Sequence, residues 1–519
     1  MPRIFRVRQS KFLMLSQRRK ARKDFWVVLL FSSVPVLAAT CESLSSLALP
    51  NAKIGLAQLV AAGEFQAPGN GKGPGAAAFR NLPAFCRVAA TLKPSSDSEI
   101  KIEVWMPAAG WNSSLQSVGN GAWAGSISFP AMATALAAGY ATASTDTGHS
   151  GNSADFILGH PEKVTDFAYR AVHEMTVAAK AVVAAYYGKS ATHSYWNGCS
   201  TGGRQALAEA QRYPNDYDGI VAGAPANYVT HLQGQQVWMN QIVHEDEAGF
   251  IPPQKFKLLH EAMLKACDAM DGVKDGVLED PSRCHFDPKE LACASRDSSN
   301  CLTPPQVEAA RKIYSGPASA RTGKALFPGL ERGSEAGWTT LSGAKPMSLA
   351  DETYKYLVFR DSNWNYMTFD PDRDMAKADA VISATMNSTD PNLKPFFGHG
   401  GKLLMYHGWA DPGIAPRNSV NYYESVAEGM GGAKKAAESI RLFMVPGMGH
   451  CRGGDGTDNF DAIAALADWV EKGKAPDRIE ASHQTRGVVD RTRPLCPYPQ
   501  TAVYNGTGST DESANFSCR

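Results

Sequence analysis

The sequence has 519 residues, 44% of them hydrophobic and 20% charged, which is ordinary for a globular protein. Its length accommodates one large domain with an insertion, or two to three ordinary domains. The formal net charge is +1, but nine Lys or Arg and one Asp fall within residues 1–38, so the charge from residue 39 onward is −7. A mildly acidic chain without a basic stripe argues against nucleic acid as a partner.

Residues 1–38 are predicted to be a secretory signal peptide. A basic stretch precedes the apolar run Phe25–Ala39, which is too short for a membrane span and ends in small residues. A buried N-terminal helix is the alternative interpretation. We therefore expect a secreted or periplasmic protein with no membrane span in the mature chain.

Predicted strands and helices alternate along much of the chain. An exposed Gly-rich loop is predicted at residues 69–75. The predicted strands are Ile100–Trp105, Tyr140–Ser144, Ser194–Asn197, Ile220–Ala222, Lys402–His407 and Arg441–Val445, and the predicted helices are Asp166–Tyr187 and Gly203–Arg212. This alternation predicts an α/β fold with a mostly parallel sheet.

The alternation fades between about Asn227 and His399, a region rich in aspartates and aromatics. The simplest interpretation is an inserted domain at residues 229–399, between two parts of one core domain at residues 39–228 and 400–519. Aromatic residues of Tyr354–Asp374 are equally compatible with stacking on an aromatic ring from outside the chain and with forming the core of the insert.

The segment Gly198-Cys199-Ser200-Thr201-Gly202 fits the pattern Gly-x-Ser-x-Gly. The pattern is common by chance, but here a predicted strand precedes it and a predicted helix follows it. That context favours a nucleophile elbow, in which a sharp turn raises the serine above the sheet. A helix-capping serine after a glycine turn is the alternative.

An elbow serine predicts the chain order nucleophile, acid, histidine. Asp411 and His450 each follow a later predicted strand, at the sheet edge where catalytic groups of open α/β sheets lie. Asp411 is predicted to orient the His450 ring, and His450 to take the Ser200 proton. Three other residues have simpler interpretations: His407 as structural, His149 as a loop hydrogen-bonder, and Asp146 as a weaker rival for Asp411.

An oxyanion hole needs two backbone N–H groups. One is predicted from Thr201, directly after the nucleophile. The other is expected from the glycine-rich stretch Gly119–Gly125, where Gly121 is chosen over Ala122 from pattern alone. A plain glycine-rich turn is the alternative.

Ten cysteines, all beyond residue 38, fit an oxidising compartment. Spacing suggests four pairs and leaves Cys199 and Cys451, although sequence alone does not fix connectivity. A Cys199–Cys451 disulfide would hold the neighbouring Ser200 and His450 within reach of each other; the alternative is two small buried residues. The other suggested pairs are Cys41/Cys86, Cys267/Cys284, Cys293/Cys301 and Cys496/Cys518.

The stretch from Cys267 to Val277 carries three aspartates and two glycines, which suits a calcium loop without EF-hand spacing. Backbone carbonyls would have to complete the shell, and the site's role would be structural. A solvated acidic turn is the alternative. The candidate ligands are Asp268, Asp271, Val273, Asp275 and Val277.

Three motifs resemble the tannase and feruloyl esterase family: Gly-Cys-Ser-x-Gly-Gly from Gly198, His-Gly-Trp-Ala-Asp from His407, and Gly-x-Gly-His-Cys from Gly447. That family includes feruloyl esterases, tannases and the hydrolase of mono(2-hydroxyethyl) terephthalate. The resemblance covers nearly the whole mature chain.

The resemblance implies an α/β-hydrolase core with a lid inserted after the nucleophile strand. It implies Ser200, Asp411 and His450 as a catalytic triad beside a Cys199–Cys451 disulfide. It also implies Ca²⁺ in the lid, held by the five candidate ligands above.

We therefore expect a secreted serine esterase that hydrolyses small aromatic esters of the feruloyl type through an acyl-enzyme. Galloyl esters and a terephthalate half-ester are alternative substrates, and an alcohol in place of water would make an acyltransferase. A different class of function is also an alternative: a non-catalytic binding protein stabilised by calcium. The intact triad disfavours this alternative.

Overall fold

A nine-stranded sheet runs through the centre of the protein. The computed structural model describes residues 39–68, 76–245 and 247–519, so the predicted signal peptide and the Gly-rich loop lie outside the described residues. The strands of this sheet are β1 (Ala52–Val60), β2 (Phe85–Leu92), β3 (Ile100–Pro107), β4 (Ser114–Val118), β5 (Ala141–Thr145), β6 (His193–Cys199), β7 (Gly219–Gly223), β8 (Lys402–Gly408) and β9 (Ile440–Val445).

The strand order is β1-β2-β3-β5-β4-β6-β7-β8-β9. The first four strands in this order pair antiparallel, and every pairing from β5 through β9 is parallel. The predicted α/β class with a mostly parallel sheet is confirmed. Every predicted strand is found within one or two residues of its expected bounds, whereas β1, β2 and β4 were not predicted.

Helices connect and cover these strands. The α-helices are α1 (Ala76–Phe79), α2 (Phe129–Ala137), α3 (Pro161–Thr165), α4 (Ala171–Tyr187), α5 (Thr201–Arg212), α6 (Val229–His244), α7 (Pro253–Cys267), α8 (Pro304–Ser315), α9 (Ser348–Glu352), α10 (Pro371–Met386), α11 (Lys394–Gly398), α12 (Arg417–Gly429), α13 (Ala433–Ala436) and α14 (Ala462–Lys472). Two short antiparallel pairs follow: β10 (Ile479–Thr485) with β11 (Val488–Leu495), and β12 (Ala502–Tyr504) with β13 (Phe516–Cys518).

The predicted helix Asp166–Tyr187 is interrupted at its start. Asp166–Arg170 forms a π-helical turn before α4 begins. The buried Arg204 guanidinium donates to the carbonyl oxygens of Phe167 and Ala168 in that turn. Those carbonyls thus gain partners from α5, a tertiary contact that a periodic sequence pattern does not show.

The central strands are apolar on both faces because helices cover both sides of the sheet. Along β7, Ile220 packs into the cluster that contains Met175 of α4, while Val221 packs into the cluster that contains Leu466 of α14. Successive strand residues point to opposite faces, so one continuous apolar run contributes to two cores. Each fully buried side chain of this kind contributes about 1.5–3 kcal/mol.

The chain between β7 and β8 adds no strand to this sheet in its described part. Apolar residues of α6 to α10 pack in two further clusters, whereas Phe396 and Phe397 of α11 belong to the cluster that contains Met175. Tyr354, Phe359, Trp364 and Phe369 pack on one another there. These aromatics pack in a cluster that also contains Trp123 and Phe167 from outside the insert. The division into core and lid at residues 229–399 stays a prediction, since the described residues form one compact unit.

All ten cysteines are paired, and the five expected disulfides are confirmed. No helix among the described residues has the length and apolar character needed to cross a membrane. The disulfides are Cys41–Cys86, Cys199–Cys451, Cys267–Cys284, Cys293–Cys301 and Cys496–Cys518.

Candidate active site

Ser200 occupies a one-residue turn between β6 and α5. Its backbone has φ 64° and ψ −121°, a conformation that is strained for any residue with a side chain. Glycines make the turn fit: a Cβ on Gly198 would lie 2.5 Å from the carbonyl oxygen of Gly202, and one on Gly203 would lie 2.3 Å from that of Gly223. The Ser200 N–H donates to the Gly223 carbonyl oxygen and fixes the turn against β7.

Asp411 and His450 meet at the same end of the sheet. His450 Nδ1 lies 2.7 Å from Asp411 Oδ2. The other carboxylate oxygen, Oδ1, accepts the N–H groups of Gly413 at 2.7 Å and Ile414 at 2.9 Å. The loop after β8 therefore holds the fully buried carboxylate in one orientation behind the half-buried ring.

A second histidine, His407, also binds Asp411. Its Nε2 lies 3.1 Å from both Asp411 Oδ2 and the Ile414 carbonyl oxygen, and its Nδ1 lies 2.7 Å from Ser419 Oγ. Since both partners of Nε2 are acceptors, that nitrogen carries the proton. The sequence predicts a structural role for His407, and its hydrogen bond to Asp411 helps to hold that carboxylate in place.

Charge and burial oppose each other at this pair. Burial lowers the pKa of His450, but the Asp411 carboxylate and its hydrogen bond outweigh burial and raise the pKa above the ordinary value. Burial raises the pKa of Asp411, but His450 and His407 together hold it well below its usual range. Asp411 therefore stays ionised and stabilises the protonated form of His450.

A cavity of about 440 Å³ opens beside Ser200, and His450, Gly121, Cys199 and Cys451 also line it. The Cys199–Cys451 disulfide holds the two Cα atoms 6.1 Å apart, next to Ser200 and His450. Among the described residues, Ser200 Oγ makes no hydrogen bond to His450. Nucleophile–base contacts of this kind are often long without substrate and shorten when it binds.

The predicted oxyanion groups border this cavity. Thr201 opens α5, where first-turn N–H groups lack helical partners, and its Oγ1 donates to the Ala122 carbonyl oxygen at 3.0 Å. Both Gly121 and Ala122 line the cavity, and Ala122 has a positive φ of 48°. The geometry does not choose between their N–H groups, so Gly121 stays a prediction.

Gln205 fixes the loop that carries Gly121, a role that the sequence did not suggest. Its Oε1 accepts the Asn120 N–H and its Nε2 donates to Asn120 Oδ1, both at 3.1 Å. Asn120 Nδ2 also donates to the carbonyl oxygens of Ser126 and Thr145. The Gln205–Asn120 bonds join residues 85 positions apart, and no local sequence pattern indicates them.

The two remaining candidates have partners away from His450. Asp146 accepts the N–H groups of Lys101 and Gly148, and burial, opposed by these bonds, raises its pKa to about 6. His149 contacts the Trp123 carbonyl oxygen through Nε2, as expected for a loop hydrogen-bonder. Neither contacts His450 among the described residues.

The acidic loop after α7 lies against the C-terminal hairpins. A small cavity of about 20 Å³, enough for one water-sized occupant, is lined by four of the predicted ligand residues but not by Asp268. Asp268 Oδ1 instead accepts the N–H groups of Asp275 and Gly276. Arg493 donates to Asp275 at 2.6 Å, and the half-buried Glu279, which the sequence did not suggest, is a further carboxylate at the cavity.

This set offers carboxylate oxygens of the kind that a hard cation takes, and Arg491 and Arg493 line the same cavity. Burial raises the pKa of Asp271, and the neighbouring Asp275 and Asp268 carboxylates add to that rise. Carboxylate and carbonyl oxygens are the ligands that Ca²⁺ takes, and a divalent cation relieves this repulsion.

The fold and the site together define a carboxylic ester hydrolase of the α/β-hydrolase class. The family model described as "Tannase and feruloyl esterase" matches residues 86–519. The chain therefore belongs to the tannase and feruloyl esterase family.

Similarity to individual proteins extends over nearly the whole chain. An uncharacterized esterase of Xanthomonas campestris pv. campestris is 37% identical, covering 93% of this chain and 91% of that protein. A probable feruloyl esterase B-2 of Aspergillus terreus is 35% identical, with 92% and 94% covered. The crystal structure of feruloyl esterase B from Aspergillus oryzae superposes with a TM-score of 0.86 at 31% identity, covering 92% of this chain and 99% of that one.

Proposed function

We propose that the protein hydrolyses feruloyl-type aromatic esters through an acyl-enzyme on Ser200. The observation that carries the proposal is the joint placement of three groups. Ser200 stands on a strained elbow, the Cys199–Cys451 disulfide adjoins both Ser200 and His450, and Asp411 binds the His450 ring at 2.7 Å.

Each side chain then has one step to perform. Asp411 accepts a hydrogen bond from the Nδ1–H group of His450 and stays ionised, so that Nε2 takes the proton of Ser200 as Oγ attacks the ester carbonyl. The N–H groups of Thr201 and Gly121 hold the oxyanion. His450 returns the proton to the departing alcohol, and then activates the water that releases the acid.

The cavity supports an aromatic substrate. Its walls are largely aliphatic, with Leu232, Leu349 and Ile414 beside Ser200, and its volume of about 440 Å³ suits a ligand of that size. Leu232 and Leu349 belong to the inserted segment, which supports the assignment of that segment as a lid. The relatives named feruloyl esterases support the feruloyl type over galloyl esters.

Ser200→Ala tests the proposal with methyl ferulate as substrate. We expect kcat to fall by about 10⁴-fold or more, because loss of a nucleophile leaves only binding and oxyanion contacts. Ser425→Ala, on α12, is the matched control and is expected to retain activity. Hydrolysis by Ser200→Ala at a rate close to that of the control would refute the serine mechanism, and release of free acid without an added alcohol distinguishes hydrolysis from acyl transfer.

We further propose that the acidic loop binds Ca²⁺ through Asp268, Asp271 and Asp275, with the backbone carbonyls of Val273 and Val277. The cation would neutralise the loop and fasten it to the C-terminal hairpins. Export to an oxidising compartment is a separate proposal, and the five disulfides support it.

A further inference from the structure

The cavity at Ser200 is lined mainly by apolar side chains, and few polar ones reach it. Apart from Ser200 and His450, the polar side chains that line it are Gln233, Gln236 and Ser348. No Lys, Arg, Asp or Glu is among the described residues of the lining. His450 is therefore the ionisable group that a substrate meets there.

Gln233 and Gln236 lie on the same helix, α6, but differ in their partners. Gln236 Nε2 donates to the Gly413 carbonyl oxygen, so this amide ties α6 to the loop that holds Asp411. The Gln233 side chain makes no hydrogen bond among the described residues, although Gln233 is only 4% exposed. Since the Gln233 amide has no partner within the described chain, it is available to a group that enters from outside.

The position of the Gln233 amide shows where that partner would sit. Gln235 Oε1, two residues further along α6, is buried without a hydrogen-bond partner, whereas neither amide atom of Gln233 is buried in this way. The Gln233 amide therefore borders open space. Because Gln233 is nearly buried and lines the cavity, that open space is the substrate cavity.

The same cavity disfavours a substrate that carries a carboxylate on its ring. A carboxylate moved from water into an apolar site without a cation loses its hydration and gains no ionic partner. An uncharged hydroxyl avoids that cost, since an amide both donates and accepts a hydrogen bond.

We propose that Gln233 is a specificity-determining residue, which hydrogen-bonds the hydroxyl on the ring of an uncharged aromatic acyl group. The cavity accordingly selects hydroxycinnamoyl-type acyl groups and discriminates against terephthalate half-esters, whose ring carries a free carboxylate. This inference rests on the proposed function of the same site.

Three methyl esters test it: methyl ferulate, methyl cinnamate without the ring hydroxyl, and monomethyl terephthalate with a ring carboxylate. For the unaltered protein we expect kcat/KM for methyl ferulate to exceed that for methyl cinnamate by about tenfold and that for the half-ester by about 100-fold. Gln233→Leu, which keeps the volume but loses the amide, is expected to lower kcat/KM for methyl ferulate about tenfold and to leave methyl cinnamate within about twofold.

Two further variants make the test specific. Gln241→Leu is the matched control on α6, because its amide donates to the carbonyl oxygens of Met367 and Phe369. It is expected to leave the ferulate-to-cinnamate ratio unchanged. Gln233→Lys supplies the missing cation and is expected to raise the ratio of half-ester to ferulate kcat/KM at least about tenfold.

The inference is overturned if Gln233→Leu lowers both neutral esters equally, or if the unaltered protein hydrolyses the half-ester as fast as methyl ferulate. The comparison of methyl ferulate with the half-ester uses the unaltered protein, so the inference can be refuted even if a variant fails to fold. Failure of the proposed function is a different result: no turnover of any of the three esters, or activity that survives Ser200→Ala.

Discussion

The Cys199–Cys451 disulfide offers a direct test of how the site is held together. It joins residues 252 positions apart, whereas the Cys41–Cys86 disulfide spans 45 positions and ties the N-terminal segment to β2 at the other end of the sheet. From loop-closure entropy alone, the loss of these two bonds destabilises the protein by about 5.5 and about 4 kcal/mol respectively. Removal of either disulfide therefore destabilises the protein by several kcal/mol, but only Cys199–Cys451 lies next to Ser200.

We expect Cys199→Ala with Cys451→Ala to lower kcat for methyl ferulate about 100-fold at a temperature where the variant stays folded. A displacement of about 1 Å between nucleophile and base costs this much. Cys41→Ala with Cys86→Ala is the matched control, which should melt at a lower temperature but keep kcat within about twofold. Circular dichroism melts establish folding, and thiol titration establishes that the remaining disulfides are intact.

A folded Cys199/Cys451 double variant with unaltered kcat would refute the inference that the disulfide positions Ser200 against His450. Equal losses of kcat in both double variants would refute it as well, because the effect would then follow stability and not position.

Two other perturbations address charge and metal. Asp411 raises the pKa of His450, and the imidazolium form cannot accept the Ser200 proton, so kcat/KM should fall as the pH drops through that raised pKa. In a pH–rate profile, Asp411→Asn should move this acidic limb to lower pH and lower kcat about 10⁴-fold. An acidic limb that does not move contradicts the assignment of Asp411. Chelation with EDTA should lower the melting temperature by several degrees, because a ligand at 100 times its Kd adds about 2.7 kcal/mol to the free energy of unfolding. Restoration of the melting temperature by added Ca²⁺ supports the calcium site, and no shift on chelation refutes it.

Much of the site is predictable because each of its parts is local in sequence. Ser200 is marked by glycines on both sides and by a strand-turn-helix context, which the structure contains as β6, the turn and α5. Asp411 and His450 follow β8 and β9 directly, so strand prediction and the expected chain order suffice to select them. Spacing suggests four of the disulfide pairs and leaves Cys199 and Cys451, although it does not fix their connectivity.

The parts that sequence did not reveal depend on contacts between distant segments. The Gln205–Asn120 pair crosses 85 positions, and the hydrogen-bonding state of Gln233 depends on what surrounds α6. The aromatic residues around Tyr354 were compatible with two roles because composition does not tell a core from a cavity wall. In the structure they pack on one another, and aliphatic side chains line the cavity instead.

The bonds between the loops at the site hold two residues whose backbone conformation is strained. Ser200 and Cys451 both have positive φ values, 64° and 65°, and such conformations cost of order 1–3 kcal/mol and persist only when their surroundings enforce them. The disulfide joins the end of β6 to the loop after β9, and the Asp411–His450 hydrogen bond joins that loop to the end of β8. Since each of the three loops is bound to another, these bonds hold the strained Ser200 at the same cavity as His450.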